Sequence, residues 1–172
     1  SASVAKGAGA TVLNEPQKGY GKACLTGIAH LKRKTEPPAT VVFLDGDYSD
    51  HPEELPAVVA PIEQNQADLV IGSRMLGNAE PGALLPQARF GNWLATRLIR
   101  LIYGYHFTDL GPFRAVRWQE LLDLEMADED FGWTVEMQVK AAKQGLSCQE
   151  VAVSYRRRVG VSKVTGTLRG TI

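Results

Sequence analysis

Hydrophobic positions along the chain fall into segments with two different spacings. Residues 40–44 and 68–72 are short, nearly continuous apolar runs, which are typical of strands buried on both faces of a parallel sheet. At about 19–33, 87–103 and 132–143, apolar residues recur every three or four positions, as in helices that pack on a sheet. The alternation predicts an α/β domain whose mixed, mostly parallel sheet is flanked by helices.

Weaker patterns cover the remaining segments. Residues 10–13 are a short strand candidate, and 148–155 alternate as a strand. A helix is expected at about 52–65, divided into two pieces by internal prolines. Residues 76–88 are rich in glycine, proline and alanine and predict a loop, and 109–115 predict a turn between elements.

The composition limits the classes of protein to which the chain can belong. Of the 172 residues, 44% are hydrophobic and 22% are charged, which is ordinary for one folded domain and excludes disorder as the dominant state. The 19 basic and 19 acidic residues cancel, which argues against a nucleic-acid partner. There are two cysteines and no apolar run as long as a membrane span, so we expect a single domain in the reducing cytoplasm.

Two carboxylates follow the strand predicted at 40–44. Asp45 and Asp47 are separated only by Gly46, and ligands of open α/β sheets bind beyond the carboxyl ends of the strands. Such a pair can face one hard cation, whose other ligands are waters and phosphate oxygens. The alternative is an ordinary Asp-Gly turn. The position of the pair favours metal and diphosphate binding.

Arg74 and Asp109 are two further candidates for a role in the chemistry. Arg74 follows the strand at 68–72, and its planar guanidinium suits a phosphate, although a solvated arginine is the alternative. Asp109 lies in the predicted turn at 109–115, where it is either a base or orienting group, or part of the turn alone.

A basic segment lies near the end of the chain. Residues 156–163 hold four cations in eight positions, which favours a specific anion over a basic edge that only discourages aggregation. In a continued strand, Arg156 and Arg158 share one face, so both are candidate ligands of a nucleotide diphosphate. A glycine turn would then bring Ser162 and Lys163 back over the same site.

Seven segments carry a family resemblance in a constant order: 18–23, 41–53, 68–74, 109–114, 131–136, 150–153 and 158–163. Together they resemble the family 2 glycosyltransferases of the GT-A fold, especially the branch similar to dolichyl-phosphate mannose synthase. The resemblance implies inverting transfer of a hexose from a UDP- or GDP-linked sugar to a polyprenyl or dolichyl phosphate. It also implies a Mg or Mn ion and peripheral contact with the inner face of the membrane.

The same resemblance assigns expected roles to individual residues. Asp45 and Asp47 correspond to the metal-binding pair, and Arg74 and Arg89 to ligands of the acceptor phosphate. Arg158, Ser162 and Lys163 correspond to a basic arm over the nucleotide diphosphate. For an acceptor hydroxyl instead of a phosphate, a base is needed, and Asp109 is the candidate.

The chain departs from the family pattern at two places. Ser49 stands where many relatives have Gln or His as a further metal ligand. The strands that open the domain in relatives have no match, so about forty residues, one β-α-β unit, are expected to be missing from the front. Two alternatives therefore remain, a nucleotidyltransferase that makes a sugar nucleotide and a catalytically incomplete domain.

Overall fold

A four-stranded mixed sheet lies at the centre of the molecule. The structure is a computed structural model and describes residues 2–160. The strands are β1 (Thr40–Phe43), β2 (Leu69–Ser73), β3 (Arg114–Arg117) and β4 (Cys148–Ala152). Their spatial order is β1-β3-β2-β4, with β3 antiparallel to both β1 and β2, and β2 parallel to β4.

Helices connect these strands and cover the sheet. They are α1 (Ala2–Gly7), α2 (Tyr20–Lys32), α3 (Leu55–Glu63), α4 (Pro86–Tyr103), α5 (Trp118–Asp123) and α6 (Trp133–Gln144), and a 3₁₀ turn at Pro52–Glu54 precedes α3. Both α4 and α6 end at a glycine, Gly104 or Gly145, whose φ of 74° is a conformation that few other residues adopt.

Strand β2 is buried along its whole length because helices cover both faces of the sheet. Leu69 and Ile71 belong to a core cluster that includes Trp133 of α6. Val70 points to the opposite face, into a second cluster that includes Ile62 of α3. This two-sided burial explains why β2 is apolar at nearly every position.

Most of the predicted elements are confirmed, with shifts of one to three residues at their ends. Three local predictions are wrong. Residues 10–13 do not form a strand, and residues 114 and 115 of the predicted turn belong to β3. The strand at 40–43 pairs antiparallel with β3 at the end of the sheet among the described residues, and its side chains are only half-buried. Its apolar run therefore did not identify a central parallel strand.

Strand β3 was missed because arginines occupy both of its ends. Arg114 is fully buried, yet its guanidinium donates hydrogen bonds to the carbonyl oxygens of Gly111 and Thr134. Arg117 reaches Asp68 and the carbonyl oxygen of Ile62. Only two central residues of β3 are apolar, which is too few for a strand pattern.

Two glycines of α2 provide a matched test of this packing. A Cβ at Gly21 would lie 2.0 Å from the carbonyl oxygen of Asp128, whereas a Cβ at Gly27 would meet nothing within 4 Å. We expect Gly21→Ala to lower the free energy of unfolding by about 1–3 kcal/mol. Gly27→Ala should raise it by about 0.5–1 kcal/mol, because alanine favours the helix. Urea unfolding measures both, and equal effects would contradict the close approach of residues 128–130 to α2.

Candidate functional site

The acidic loop after β1 is held by its own hydrogen bonds. Tyr48 adopts a φ of 72°, which turns the chain back sharply. Asp47 Oδ1 accepts hydrogen bonds from the amide and the hydroxyl of Ser49. The amide of Asp45 donates to Asp50 Oδ2 at 3.1 Å. The loop thereby keeps three carboxylates close together beyond the end of a strand.

The carboxylates of this loop differ in their affinity for protons. Burial raises the pKa of Asp45, and the charge of Asp47 raises it further. Burial also raises the pKa of Asp50, to about 6. Burial acts in the same direction on Asp47, but hydrogen bonds from Ser49 and the guanidinium of Arg158 outweigh it, so the pKa of Asp47 lies below its usual value. Asp47 is therefore the most firmly ionised member of the loop.

The segment that follows β4 folds onto this loop. The amide of Arg156 donates to the carbonyl oxygen of Ser49, and the amide of Val159 to that of Asp47, both at 2.9 Å. The Arg158 guanidinium pairs with Asp47 Oδ2, with 2.9 Å between Nε and the oxygen. Backbone and side-chain contacts thus bring the basic segment and the acidic loop together.

The other two arginines of the segment bind backbone. The Arg156 guanidinium lies 3.5 Å from the centre of the Tyr48 ring and donates to the carbonyl oxygen of Asp50 at 2.9 Å. Arg157 reaches away from the acidic loop and donates to the carbonyl oxygen of Pro81. Both arginines position loops, and the predicted role of Arg156 as a nucleotide ligand stays a prediction. Ser162 and Lys163 lie outside the described residues.

Arg74 and Asp109 form a closed ion pair. Arg74 Nε donates to Asp109 Oδ2 and Arg74 Nη2 to Asp109 Oδ1, each at 2.8 Å. The amides of Arg74 and Leu110 also donate to this carboxylate. Asp109 is fully buried, whereas the Arg74 side chain is 14% exposed. The geometry favours a positioning role for Asp109, because its carboxylate oxygens are already engaged.

Three polar residues hold the backbone of the loop that contains Asp109. The sequence analysis did not identify any of them. Glu150 of β4 accepts hydrogen bonds from the amides of Thr108 and Asp109. Gln138 of α6 donates to the carbonyl oxygen of Asp109 at 3.0 Å and accepts from buried Arg114. The sequence signal that could have identified these three residues is a polar side chain at a position of a strand or helix where an apolar one is expected.

Two cavities meet at Arg158. The first, of about 750 Å³, contains Asp45 and Asp47 at its polar end and is lined elsewhere by α2 and β1. The second, of about 330 Å³, is lined by Arg74, Arg157 and Tyr155 together with residues 82–85. Arg158 lines both cavities.

A third cavity brings Arg89 to Arg74. It has a volume of about 250 Å³, and its other walls are residues 75–84 of the loop before α4. The structure therefore gathers Asp45, Asp47, Arg158, Arg74 and Arg89 around adjoining cavities, although 113 positions separate the first from Arg158.

The donor atoms of the acidic loop fit a hard divalent cation. Asp45 and Asp47 carry carboxylate oxygens, which are the ligands that Mg and Mn prefer. The oxygens of Asp47 are held by Ser49 and Arg158, so a cation there would take the place of the Arg158 contact. Asp50 Oδ1 is buried and has no hydrogen-bond partner within residues 2–160. The Ser49 hydroxyl is engaged by Asp47. In the described part of the chain, no three His, Cys, Asp or Glu side chains already form a cluster that could hold an ion.

Comparison with known proteins identifies the family. Residues 1–124 match the sequence profile of glycosyl transferase family 2. An uncharacterised glycosyltransferase of Mycobacterium tuberculosis is 37% identical over 175 residues, covering 100% of this chain and 76% of the relative. The dolichyl-phosphate hexose transferase of Haloferax volcanii is 31% identical over 163 residues, covering 94% of this chain and 67% of that protein. The chain belongs to glycosyl transferase family 2 and is a glycosyltransferase domain.

A solved structure confirms the predicted fold. The crystal structure of glucosyl-3-phosphoglycerate synthase from Mycobacterium tuberculosis, in complex with Mn²⁺, UDP-glucose and phosphoglyceric acid, superposes with a TM-score of 0.64 at 19% identity. The match covers 92% of this chain and 55% of that one, so this chain spans little more than half of its length. At this identity the likeness establishes the GT-A fold alone.

Glu150 should give the protein a measurable pH dependence. Burial raises the pKa of Glu150 despite the opposing amide hydrogen bonds, so folding favours its protonated form. The protonated Glu150 therefore contributes to the free energy of unfolding. This contribution is complete below the unfolded pKa of about 4.3 and is lost as the pH rises through the higher folded pKa. As the pH rises above about 4, through the folded pKa of Glu150, the free energy of unfolding of the natural chain should fall relative to that of Glu150→Gln.

Urea unfolding at a series of pH values checks this prediction. Glu63→Gln, which removes an exposed carboxylate at the end of α3, is the matched control. Parallel stability profiles for the natural chain and Glu150→Gln would show that the carboxyl under the Asp109 loop is not desolvated.

Proposed function

We propose that the chain is the catalytic domain of a metal-dependent, inverting glycosyltransferase that moves a hexose from a UDP- or GDP-linked sugar to a polyprenyl phosphate. One observation carries the proposal. Arg158 lies between a cavity that contains an acidic pair, Asp45 and Asp47, and a cavity that contains Arg74. A donor and an anionic acceptor held on the two sides of one arginine would be adjacent.

The acidic cavity suits the donor. Asp45 and Asp47 would hold Mg or Mn, which when bound neutralises charge on the departing nucleoside diphosphate. Arg158 already lies against Asp47, so a short side-chain rotation would carry its guanidinium from the carboxylate to a phosphate. The large apolar part of this cavity, between α2 and β1, gives room for the rest of the nucleotide.

The second and third cavities, both lined by Arg74, suit an acceptor that is already an anion. Arg74 and Arg89 line one of them and would bind the acceptor phosphate through charge-assisted hydrogen bonds. A phosphate oxygen attacks without losing a proton, so the acceptor needs no base. The closed ion pair of Asp109 with Arg74 agrees with this, because Asp109 then only holds Arg74 in place. The name of the dolichyl-phosphate relative supports the same choice of acceptor.

The acidic pair is tested in the full-length protein with a panel of UDP- and GDP-sugars and an isoprenoid phosphate. We expect release of nucleoside diphosphate, and Asp47→Asn should lower kcat about 100- to 1,000-fold. The same variant should remove the metal-dependent rise in melting temperature that the correct donor produces.

Asp123→Asn changes an exposed aspartate at the end of α5 and serves as the control, with unchanged turnover. Release of pyrophosphate would instead identify a nucleotidyltransferase. Metal-dependent donor binding without turnover would identify a catalytically incomplete domain.

The acceptor site is tested separately with Arg89→Ala. Loss of one charge-assisted contact to phosphate should raise the KM for the isoprenoid phosphate about tenfold or more and leave the KM for the donor nearly constant. Lys143→Ala, which removes an exposed cation at the end of α6, is the control. Equal changes in both KM values would place Arg89 outside the acceptor site.

A further inference from the structure

Residues 155–158 run between two loops and contact them alternately. Tyr155 and Arg157 bind the loop before α4, whereas Arg156 and Arg158 bind the acidic loop. Successive residues of an extended chain point to opposite sides, so the order of these four residues in the sequence divides them between the two loops. The segment therefore holds both loops at once.

Arg157 binds the loop before α4 through its backbone and its side chain. Its amide donates to Glu80 Oε2 at 2.9 Å, and its Nε and Nη2 donate to the carbonyl oxygen of Pro81 at 2.9 and 2.6 Å. We call residues 79–82 the Pro81 turn. Because two charge-assisted hydrogen bonds converge on one carbonyl oxygen, the peptide after Pro81 is held in one direction.

The Pro81 turn requires a glycine at its end. Gly82 has a φ of 80°, and a Cβ there would lie 3.1 Å from Arg157 Nη2. The amide of Ala83 donates to the carbonyl oxygen of Glu80 at 3.0 Å and closes the turn. A glycine at this position thus permits both the backbone conformation and the close approach of the guanidinium.

The Pro81 turn is a shared wall of the second and third cavities. Gly82 lines both of them, and Glu80 and Pro81 line the third. Arg74 also lines both cavities, and Arg89 lines the third. The position of the turn therefore sets the space that is left for a ligand beside these two guanidinium groups.

We propose that Arg157 is a positioning residue for the acceptor: its guanidinium holds the Pro81 turn, and the turn fixes the width of the cavities that contain Arg74 and Arg89. The inference rests on the proposed function, which assigns these cavities to the acceptor phosphate. Arg157 acts through the turn and does not itself bind the acceptor.

Arg156 is the counterpart of Arg157 on the donor side. Its guanidinium donates to the carbonyl oxygen of Asp50 at 2.9 Å and lies 3.5 Å from the centre of the Tyr48 ring, so it holds the acidic loop. Two adjacent arginines of equal charge are thereby expected to affect different substrates, which a general effect of positive charge would not produce.

Steady-state kinetics of the full-length protein test this division, with the donor that the sugar-nucleotide panel identifies and an isoprenoid phosphate. Arg157→Gln should raise the KM for the isoprenoid phosphate about tenfold and change the KM for the donor less than about twofold, because the lost hydrogen bonds hold only the Pro81 turn. Arg156→Gln should do the reverse. Arg33→Gln removes an exposed cation at the end of α2 and is the control, with both KM values unchanged.

Hydrogen exchange in the absence of donor and acceptor gives a second readout, which is independent of the proposed reaction. Arg157→Gln should speed amide exchange in peptides covering residues 79–83 about tenfold and leave that of the acidic loop unchanged. Gly82→Ala should also speed this exchange and raise the KM for the isoprenoid phosphate, although it retains Arg157. Gly91→Ala is its control, because a Cβ at Gly91 would meet nothing within 4 Å.

Circular dichroism and melting temperature would show that the variants are folded, and if Arg157→Gln does not fold, Gly82→Ala decides the question. A raised KM for the isoprenoid phosphate with unchanged exchange at 79–83 would overturn the proposal, because Arg157 would then bind the acceptor directly. Equal effects of Arg156→Gln and Arg157→Gln on both KM values would overturn it as well.

Failure of the proposed function has a different signature. If the natural protein turns over no isoprenoid phosphate with any donor, the proposed reaction and the acceptor role of Arg157 are both wrong. The exchange at residues 79–83 would then still show separately whether Arg157 holds the Pro81 turn.

Discussion

The ion pair between Asp47 and Arg158 connects the segments that follow the two outermost strands of the described sheet, and it lies at the centre of the candidate site. Asp47 belongs to the loop after β1, and Arg158 follows β4, on the other side of the sheet order. Amides of the same segment bind the backbone of that loop, so the contact does not depend on one side chain alone. Because Arg158 lines both principal cavities, this pair sets the distance between the cavity that contains Asp45 and Asp47 and the cavity that contains Arg74.

Buried polar residues make that arrangement rigid. Glu150, Gln138 and Arg114 bind the backbone around Asp109, and Asp109 in turn holds Arg74 through two parallel hydrogen bonds. Unpaired buried polar groups are costly, so such a network is stable only when its members are nearly all satisfied. As a result, the guanidinium of Arg74 is held in one orientation at the wall of the second cavity. A phosphate bound there would meet a preorganised partner with little loss of side-chain entropy.

Elements buried on both faces were the easiest part of the fold to predict. β2 is apolar at almost every position because α3 and α6 cover its two sides, and periodicity identified α2, α4 and α6. Strand β3 could not be found in this way, because Arg114 is buried only through carbonyl partners that other segments supply. Because β3 was not found, the sequence could not show that the neighbour of β1 is an antiparallel strand.

By itself, the sequence determined the family and the GT-A fold, since local patterns and ordered motifs suffice for these, and it proposed the candidate residues of the site. Only the tertiary structure decided which residues meet. Arg158 lies beside Asp47, whereas Arg156 and Arg157 bind loop carbonyls, although all three have the same local sequence character. The physical reason is that side-chain partners across more than one hundred residues depend on strand order and loop direction, which no local pattern encodes.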